Sequence, residues 1–357
     1  MKKIIIGLFM CLGLLLSATA QTIVWKDGSN FSLYGKATEN TATIYARFPD
    51  SLRETVRPRL WDLGMNSAGL SIRFRTDAKT ISARWGRRFN GSLNLMTLTA
   101  VGGLDLYALC DGQWRFVNSG RPTKKENEVV IIDHMKGEMR EYMLYLPLYD
   151  GVDYVEIGVE EGARLEKPET KLPVREKPIV FYGTSILQGG CCARPGMSHT
   201  NIISRRLNHE VINLGFSGNG RLDYEVAHLM AGVDASVFVI DCLPNVTVEE
   251  IREKMIPFFE ILREKHPDTP VIFVEDPIFT HTKFDMKKAE EVESRNKTLH
   301  EVFTMLKKRG VKNIRKVSSR EMIGNDGEGT VDGVHFTDLG MMRYADLMTP
   351  VIRKYLK

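Results

Sequence analysis

The chain has few of the features that mark a special environment. Five of its 357 residues are cysteine, and none stands in a C-x-x-C pair or at a zinc-like spacing from histidine. No metal and no cofactor are expected. Charge is nearly balanced, with 49 Lys and Arg against 45 Asp and Glu and a formal net charge of +4. Lysine and arginine do not cluster, which argues against nucleic acid or another polyanion as partner. Beyond residue 20 no stretch is apolar enough to cross a membrane. The chain also lacks internal repeats and low-complexity tracts.

The one long apolar run lies at the start. Lys2 and Lys3 precede Ile4 to Leu16, and Ala18-Thr19-Ala20 follows as a small-x-small cleavage site. Residues 1–20 therefore read as a secretory signal peptide cleaved after Ala20, with the mature chain periplasmic or secreted. The run falls short of the roughly 20 residues a membrane span needs. A lipid anchor at Cys11 is disfavoured by Met10, which stands where such sites take a small residue. Cys110, Cys191, Cys192 and Cys242 remain, and an oxidising compartment would permit a disulfide among them.

The remaining length exceeds the usual size of one hydrophobic core, and the periodicity changes near residue 170. Before it, short segments alternate apolar and polar residues: Gly69-Leu-Ser-Ile-Arg-Phe-Arg, Thr80-Ile-Ser-Ala-Arg-Trp and Tyr154-Val-Glu-Ile-Gly-Val. Asp111-Gly112 and Asp150-Gly151 read as turns, and no long helical period appears. This predicts an antiparallel β-sandwich of jelly-roll type over residues 22–165. A charged, proline-bearing stretch at 166–177 reads as a linker.

From residue 178 to 357, buried strands alternate with helices. Ile179-Val-Phe-Tyr, Val211-Ile-Asn-Leu, Ala235-Ser-Val-Phe-Val-Ile and Val271-Ile-Phe-Val are continuous apolar strands, and a fifth is expected over 311–317. Thr247-Val-Glu-Glu250 is a capping box, opening a helix with Ile251, Met255, Phe258 and Leu262 on one stripe. Further helices are expected near 285–309 and 338–355. Such alternation implies a parallel sheet covered on both faces, with ligands bound beyond the carboxyl ends of the strands.

Candidate residues stand at those ends. Ser185 follows the first strand in Gly183-Thr-Ser-Ile-Leu-Gln-Gly-Gly190, where it reads either as a helix-capping turn serine or as a nucleophile awaiting a base. Thr330-Val-Asp-Gly-Val-His335 places Asp332 three residues before His335. One turn of chain brings that carboxylate to one imidazole nitrogen, fixing the tautomer and freeing the other nitrogen for a serine. An isolated D-x-x-H is more often a solvated surface turn. After the second strand, Asn213-Leu-Gly-Phe-Ser-Gly-Asn-Gly220 offers Gly218, whose N–H can approach a developing oxyanion. The competing readings are a flexible turn or a dinucleotide loop, although the glycines run GxxGxG rather than GxGxxG. Asp241-Cys-Leu-Pro-Asn245 offers the Asn245 amide, or plain turn chemistry.

Ser, Gly, Asn and Asp-x-x-His in this order, each at a strand end, resemble the SGNH/GDSL hydrolases over residues 178–357. The resemblance implies a flavodoxin-like α/β domain. It further implies Ser185 as nucleophile, Asp332 and His335 completing a triad, and an oxyanion hole from Ser185, Gly218 and Asn245. Two departures stand out: Thr184 replaces the Asp of GDS, and Leu243-Pro-Asn replaces Gly-x-Asn-Asp. With Gly103-Leu-Asp-Leu-Tyr107 in the first half, they look like a subgroup carrying an N-terminal GxDLY sandwich. The implied activity is serine ester hydrolysis removing small, acetyl-like groups from a small-molecule or glycan ester. An acyltransferase, a lipase and a glycan-binding protein with a vestigial hydrolase half are the alternatives. Arg194 and His199 read as substrate contacts or solvent-facing residues, and Asp276 as a turn carboxylate before Pro277. His134, His209, His228, His266, His281 and His300 show no ligand spacing. Cys191 and Cys242 read as a disulfide or as inert buried thiols.

Overall fold

The computed structural model describes residues 22–356; the leader expected at 1–20 lies outside them. Ten strands come first: β1 (Ile23–Asp27), β2 (Ser32–Tyr34), β3 (Ser71–Thr76), β4 (Ile81–Arg87), β5 (Leu104–Cys110), β6 (Gln113–Gly120), β7 (Glu126–Ile132), β8 (Arg140–Tyr145), β9 (Val152–Glu160) and β10 (Leu165–Glu166). They form two antiparallel sheets, one ordered β1-β9-β4-β7 and the other β10-β3-β8-β5-β6 with β2 on β3. The alternation in β4 shows why the sheets face each other. Ile81, Ala83 and Trp85 enter the shared core with Ile72, Phe74, Leu106 and Ile157, while Arg84 turns outward to Glu128. Burying a side chain of that size contributes about 1.5–3 kcal/mol, and Trp85 satisfies its polar end by donating Nε1–H to Gly102 O at 2.9 Å.

Two short helices interrupt this half, α1 (Pro58–Gly64) and α2 (Leu98–Gly102). Neither is long enough to show a period in sequence. α1 belongs to the long excursion between β2 and β3, which leaves the sandwich core altogether. Ala46, Phe48, Val56, Leu60, Leu63 and Met65 pack instead into the core beside the later parallel sheet.

That sheet comprises β11 (Val174–Gly183), β12 (His209–Gly215), β13 (Val237–Asp241), β14 (Val271–Val274) and β15 (Ile314–Val317). Around it lie α3 (Ser185–Gln188), α4 (His199–Leu207), α5 (Tyr224–Ala231), α6 (Val248–Lys265), α7 (Met286–Lys308) and α8 (Asp338–Arg353). All strands are parallel in the order β12-β11-β13-β14-β15, the flavodoxin-like 2-1-3-4-5. Separate clusters of buried residues cover its two faces. The capping box of α6 forms both bonds, Glu250 N–H to Thr247 Oγ1 at 3.2 Å and Thr247 N–H to Glu250 Oε2 at 3.1 Å.

Two boundaries differ from the sequence expectation. The charged stretch 166–177 is partly strand, because Val174 pairs with His209 and β11 starts there rather than at Ile179, with a register shift between the two. β15 begins at Ile314 rather than at 311. Among the described residues no helix is long and apolar enough to cross a membrane.

Candidate active site

The strand order reverses at β11, so the crevice lies beyond its carboxyl end, between the ends of β12 and β13. Ser185 is the first residue of α3, immediately past β11, and is 7% exposed. Thr184, which replaces the expected acid, caps α3 by accepting Ile186 N–H at 3.2 Å. Ser185 Oγ lies 2.9 Å from His335 Nε2, and His335 Nδ1 lies 2.7 Å from Asp332 Oδ2.

The turn carrying Asp332 and His335 is held at both ends. Asp332 Oδ1 accepts the N–H groups of Val334 at 3.0 Å and His335 at 2.7 Å, and Gly333 supplies the positive φ of +87° that the turn requires. Burial pushes the Asp332 carboxyl up, but the His335 ring and those two backbone donors outweigh it and hold the carboxyl below its ordinary value. Its charge keeps the ring proton on Nδ1, which leaves Nε2 to accept from the serine hydroxyl.

Past β12, Gly218 has φ +66°, and its N–H makes no hydrogen bond among the described residues. Ser185 N–H is equally free, as a first-turn donor has no partner within its helix. The two loops are drawn together by Phe216 N–H to Gly183 O at 3.0 Å, and Gly220 sits so close that a Cβ there would collide with Gly183 O. Asn245 ends a single 3-10 turn past β13 and packs on the same segment. Its Nδ2 reaches Phe216 O at 3.3 Å. With the amide turned over, Oδ1 accepts the N–H groups of Asn219 and Gly220 at 3.2 Å, and the amino group leaves Phe216 O. All five candidate residues are thus carried by adjoining active-face loops.

The first half of the chain supports these loops from beneath. Arg47 is fully buried and donates to the carbonyls of Leu63, Asn66, Asn213 and Gly215, with its guanidinium over the Phe216 ring. Burial pushes it down to about 9. Arg57 grips the turn bearing Gly218: Nη1 donates to Asn219 Oδ1 at 2.6 Å, Nη2 to Asn219 O at 3.0 Å, and Nη2 pairs with Asp223 at 2.9 Å. Tyr149 donates its hydroxyl to Ser185 O at 3.0 Å. Asp105 of the GxDLY stretch is buried and accepts from Arg194 Nη1 at 2.7 Å, Gly196 N–H at 2.8 Å and Ser119 Oγ at 2.6 Å. The stretch therefore anchors the loop that follows the serine. Apart from Asp105 in its motif, none of these long-range partners carries a local sequence signal.

Three bland readings need correction. Arg194 is not a free surface cation, because it pairs with buried Asp105 and lies over the Phe116 ring, with its side chain only partly exposed. His199 is fully buried against Tyr344, with ring centroids 4.0 Å apart, both nitrogens unpartnered, and burial pushes it down to about 3. Asp276 is no surface turn carboxylate: it is buried and accepts from Arg295 Nε at 2.7 Å. Cys110, Cys191, Cys192 and Cys242 are all free thiols.

The profile of the GDSL-like lipase/acylhydrolase family matches residues 176–353, and that of the GxDLY family, the N-terminus of SGNH-hydrolase-type esterases, matches residues 23–165. A crystal structure from Bacteroides ovatus ATCC 8483, described as a GDSL-like lipase, is 39% identical over 94% of this chain and 98% of its own, with a TM-score of 0.89. The chain belongs to the GDSL-like lipase/acylhydrolase family. It is accordingly a carboxylic ester hydrolase of SGNH type. Two more distant structures share the fold. The salicylyl-acyltransferase SsfX3 from a tetracycline biosynthetic pathway is 17% identical over 94% of this chain and 98% of its own, with a TM-score of 0.70. The acetyl xylan esterase Est2A from the rumen bacterium Butyrivibrio proteoclasticus is 11% identical over 94% and 100%, with a TM-score of 0.56. No curated protein matches the chain.

Proposed function

We propose that the chain is an exported serine esterase that removes small, acetyl-like groups from carbohydrate through an acyl-enzyme. The observation that carries this reading is the continuous relay from Ser185 Oγ through His335 to the Asp332 carboxylate, at 2.9 and 2.7 Å. His335 Nε2 takes the hydroxyl proton as Oγ attacks the ester carbonyl, and Asp332 stabilises the imidazolium. The N–H groups of Ser185 and Gly218 and the Asn245 amide receive the oxyanion. Collapse of the tetrahedral intermediate returns the proton from His335 to the departing sugar oxygen and leaves an acyl ester on Ser185. Water, deprotonated by His335, then attacks the acyl carbon, and the C–Oγ bond breaks as His335 returns that proton to Ser185 Oγ, releasing the carboxylic acid.

The small acyl group and the sugar are supported by short polar segments around the crevice, Asn219-Gly-Arg221 and Asn245-Val-Thr247. The acetyl xylan esterase that shares the fold is consistent with them. Export is supported by the lysine pair, the apolar run and the small-x-small site within residues 1–20. A chain-length series on p-nitrophenyl esters tests the proposal. Acetate should be the best substrate, and Ser185→Ala should remove nearly all turnover. Near-wild-type turnover in that variant, or kcat/KM rising steadily to octanoate, would overturn it.

A further inference from the structure

Beside the catalytic crevice, wholly within the first half of the chain, lies a cavity of about 280 Å³ between α1, the segment 89–93 and Tyr149. It adjoins the nucleophile through Tyr149, whose ring lines the cavity while its hydroxyl bonds Ser185 O. The segment continues along the same rim to Thr97, which donates to Ala193 O on the loop after the serine.

Several polar groups on the cavity wall keep free hydrogen-bonding capacity. Asn66 is 4% exposed, and its Oδ1 accepts from Gln188 Nε2 at 2.9 Å, yet its Nδ2 donates to nothing among the described residues. That amino group is therefore free to donate to a group that enters the cavity. Two positions along α1 beyond Leu60, Asp62 is exposed, and among the described residues its carboxylate accepts no hydrogen bond and Arg59 pairs with no acid. Opposite them Phe89 presents an exposed ring, 47% accessible, and Leu93 stands beside it.

Resting on the esterase reading above, we infer that this cavity is the subsite for the sugar ring whose ester is cleaved. A hydroxyl both donates and accepts, so it can use the Asn66 amide and the Arg59 guanidinium as donors and the Asp62 carboxylate as acceptor. The C–H face of a pyranose suits the Phe89 ring. An acyl chain would use only the apolar wall and would leave all three polar groups unpaired. The volume holds one ring rather than a long oligosaccharide. The arrangement also gives the first half of the chain a direct part in choosing the alcohol side of the ester.

The test compares mono-O-acetylated methyl xylopyranoside and methyl glucopyranoside with p-nitrophenyl acetate, whose flat leaving group lacks hydroxyls. Asp62→Ala/Phe89→Ala changes two exposed side chains and should fold normally. Asn66→Asp keeps the acceptor for Gln188 while removing the donor. Each variant should raise KM at least about tenfold for the better acetylated sugar, the worth of one or two lost hydrogen bonds, with p-nitrophenyl acetate kinetics within about twofold of wild type. Equal effects on both substrates, or none on the sugar ester, would overturn the subsite. A selective loss of octanoate hydrolysis would also overturn it, by making the cavity an acyl pocket. If the wild type fails to hydrolyse p-nitrophenyl acetate, the esterase reading falls and is separately identified as the failure.

Discussion

Replacing Asp332 by asparagine changes one atom and should disable the site through geometry alone. Oδ1 accepts two backbone N–H groups, from Val334 and His335, while Oδ2 faces His335 Nδ1. An amide can keep its oxygen on the two backbone donors, and its NH2 then confronts Nδ1. The ring must move its proton to Nε2, where it can no longer accept from Ser185. Turning the amide over restores the tautomer but aims NH2 at two N–H donors. Hydrogen bonds to a charged acceptor are worth about 1.5–3 kcal/mol each, so the turned form is disfavoured by roughly 3–6 kcal/mol, or about 10²–10⁴ in population. Asp332→Asn should therefore lower kcat by about 10³–10⁴ with KM within about threefold, the cost of a wrong tautomer in such triads. Thermal melting should barely move, because the amide oxygen keeps both backbone bonds that hold the turn. Asp332→Ala leaves the ring free to choose its tautomer and should be no worse than the amide. Stopped-flow hydrolysis of p-nitrophenyl acetate measures all three proteins. An Asp332→Asn enzyme within tenfold of wild type would refute the assignment of the carboxylate as tautomer lock.

Arg57 touches no reacting atom but fixes the turn bearing Gly218, so it acts as a positioning residue. Arg57→Ala should lower kcat on the order of tenfold, less than the roughly 10²–10³ for losing an oxyanion donor outright, with KM and melting temperature little changed and partial rescue in Arg57→Lys; a KM effect with constant kcat would deny the role. His199 is held neutral by burial, pushed down to about 3, so the unfolded chain takes up a proton that the folded chain refuses. Stability should fall as pH drops below about 6.5, by about 2 kcal/mol at pH 5, and His199→Phe, which keeps the stack on Tyr344, should flatten that acid slope in denaturant titrations; an unchanged slope would place the acid sensitivity elsewhere.

What was legible in sequence was whatever the chain writes locally. The triad turn is legible because Asp332 and His335 are three residues apart and the geometry joining them is a single turn. The capping box at Thr247 and the alternation of Ile81, Ala83 and Trp85 are equally local. Ser185, Gly218 and Asn245 are distant from one another, yet each stands just past a strand, and the sheet order then brings strand ends together. Interactions between the halves were illegible for the opposite reason. Arg57 meets Asn219 across a separation of 162 residues, and Arg194 meets Asp105 across 89. An arginine in a polar loop reads as solvated until its partner is known. His199 and Asp276 were misread on the same ground, since a polar residue near a helix start or before a proline gives no sign of burial.

Arg47 shows how the two halves combine. A fully buried guanidinium is ordinarily matched by a carboxylate, because an unpaired charge is costly to desolvate. Here its partners are four backbone carbonyls, two from the first half and two from the end of β12. A carboxylate could be supplied by a side chain that moves, whereas these carbonyls exist in that array only if the segment around residues 63–66 and the β12 end are both folded and docked. The desolvation penalty thus falls on any arrangement in which the two separate, and Phe48 against Phe216 at 5.0 Å adds apolar contact at the same point. Since Ser217 alone separates Phe216 from Gly218, the rigidity of the turn bearing Gly218 depends on residues that precede the parallel sheet by more than a hundred positions. The sandwich-bearing half is on this account part of the framework that holds the proposed site, and the GxDLY anchor on the loop after Ser185 is its counterpart on the other side of that serine.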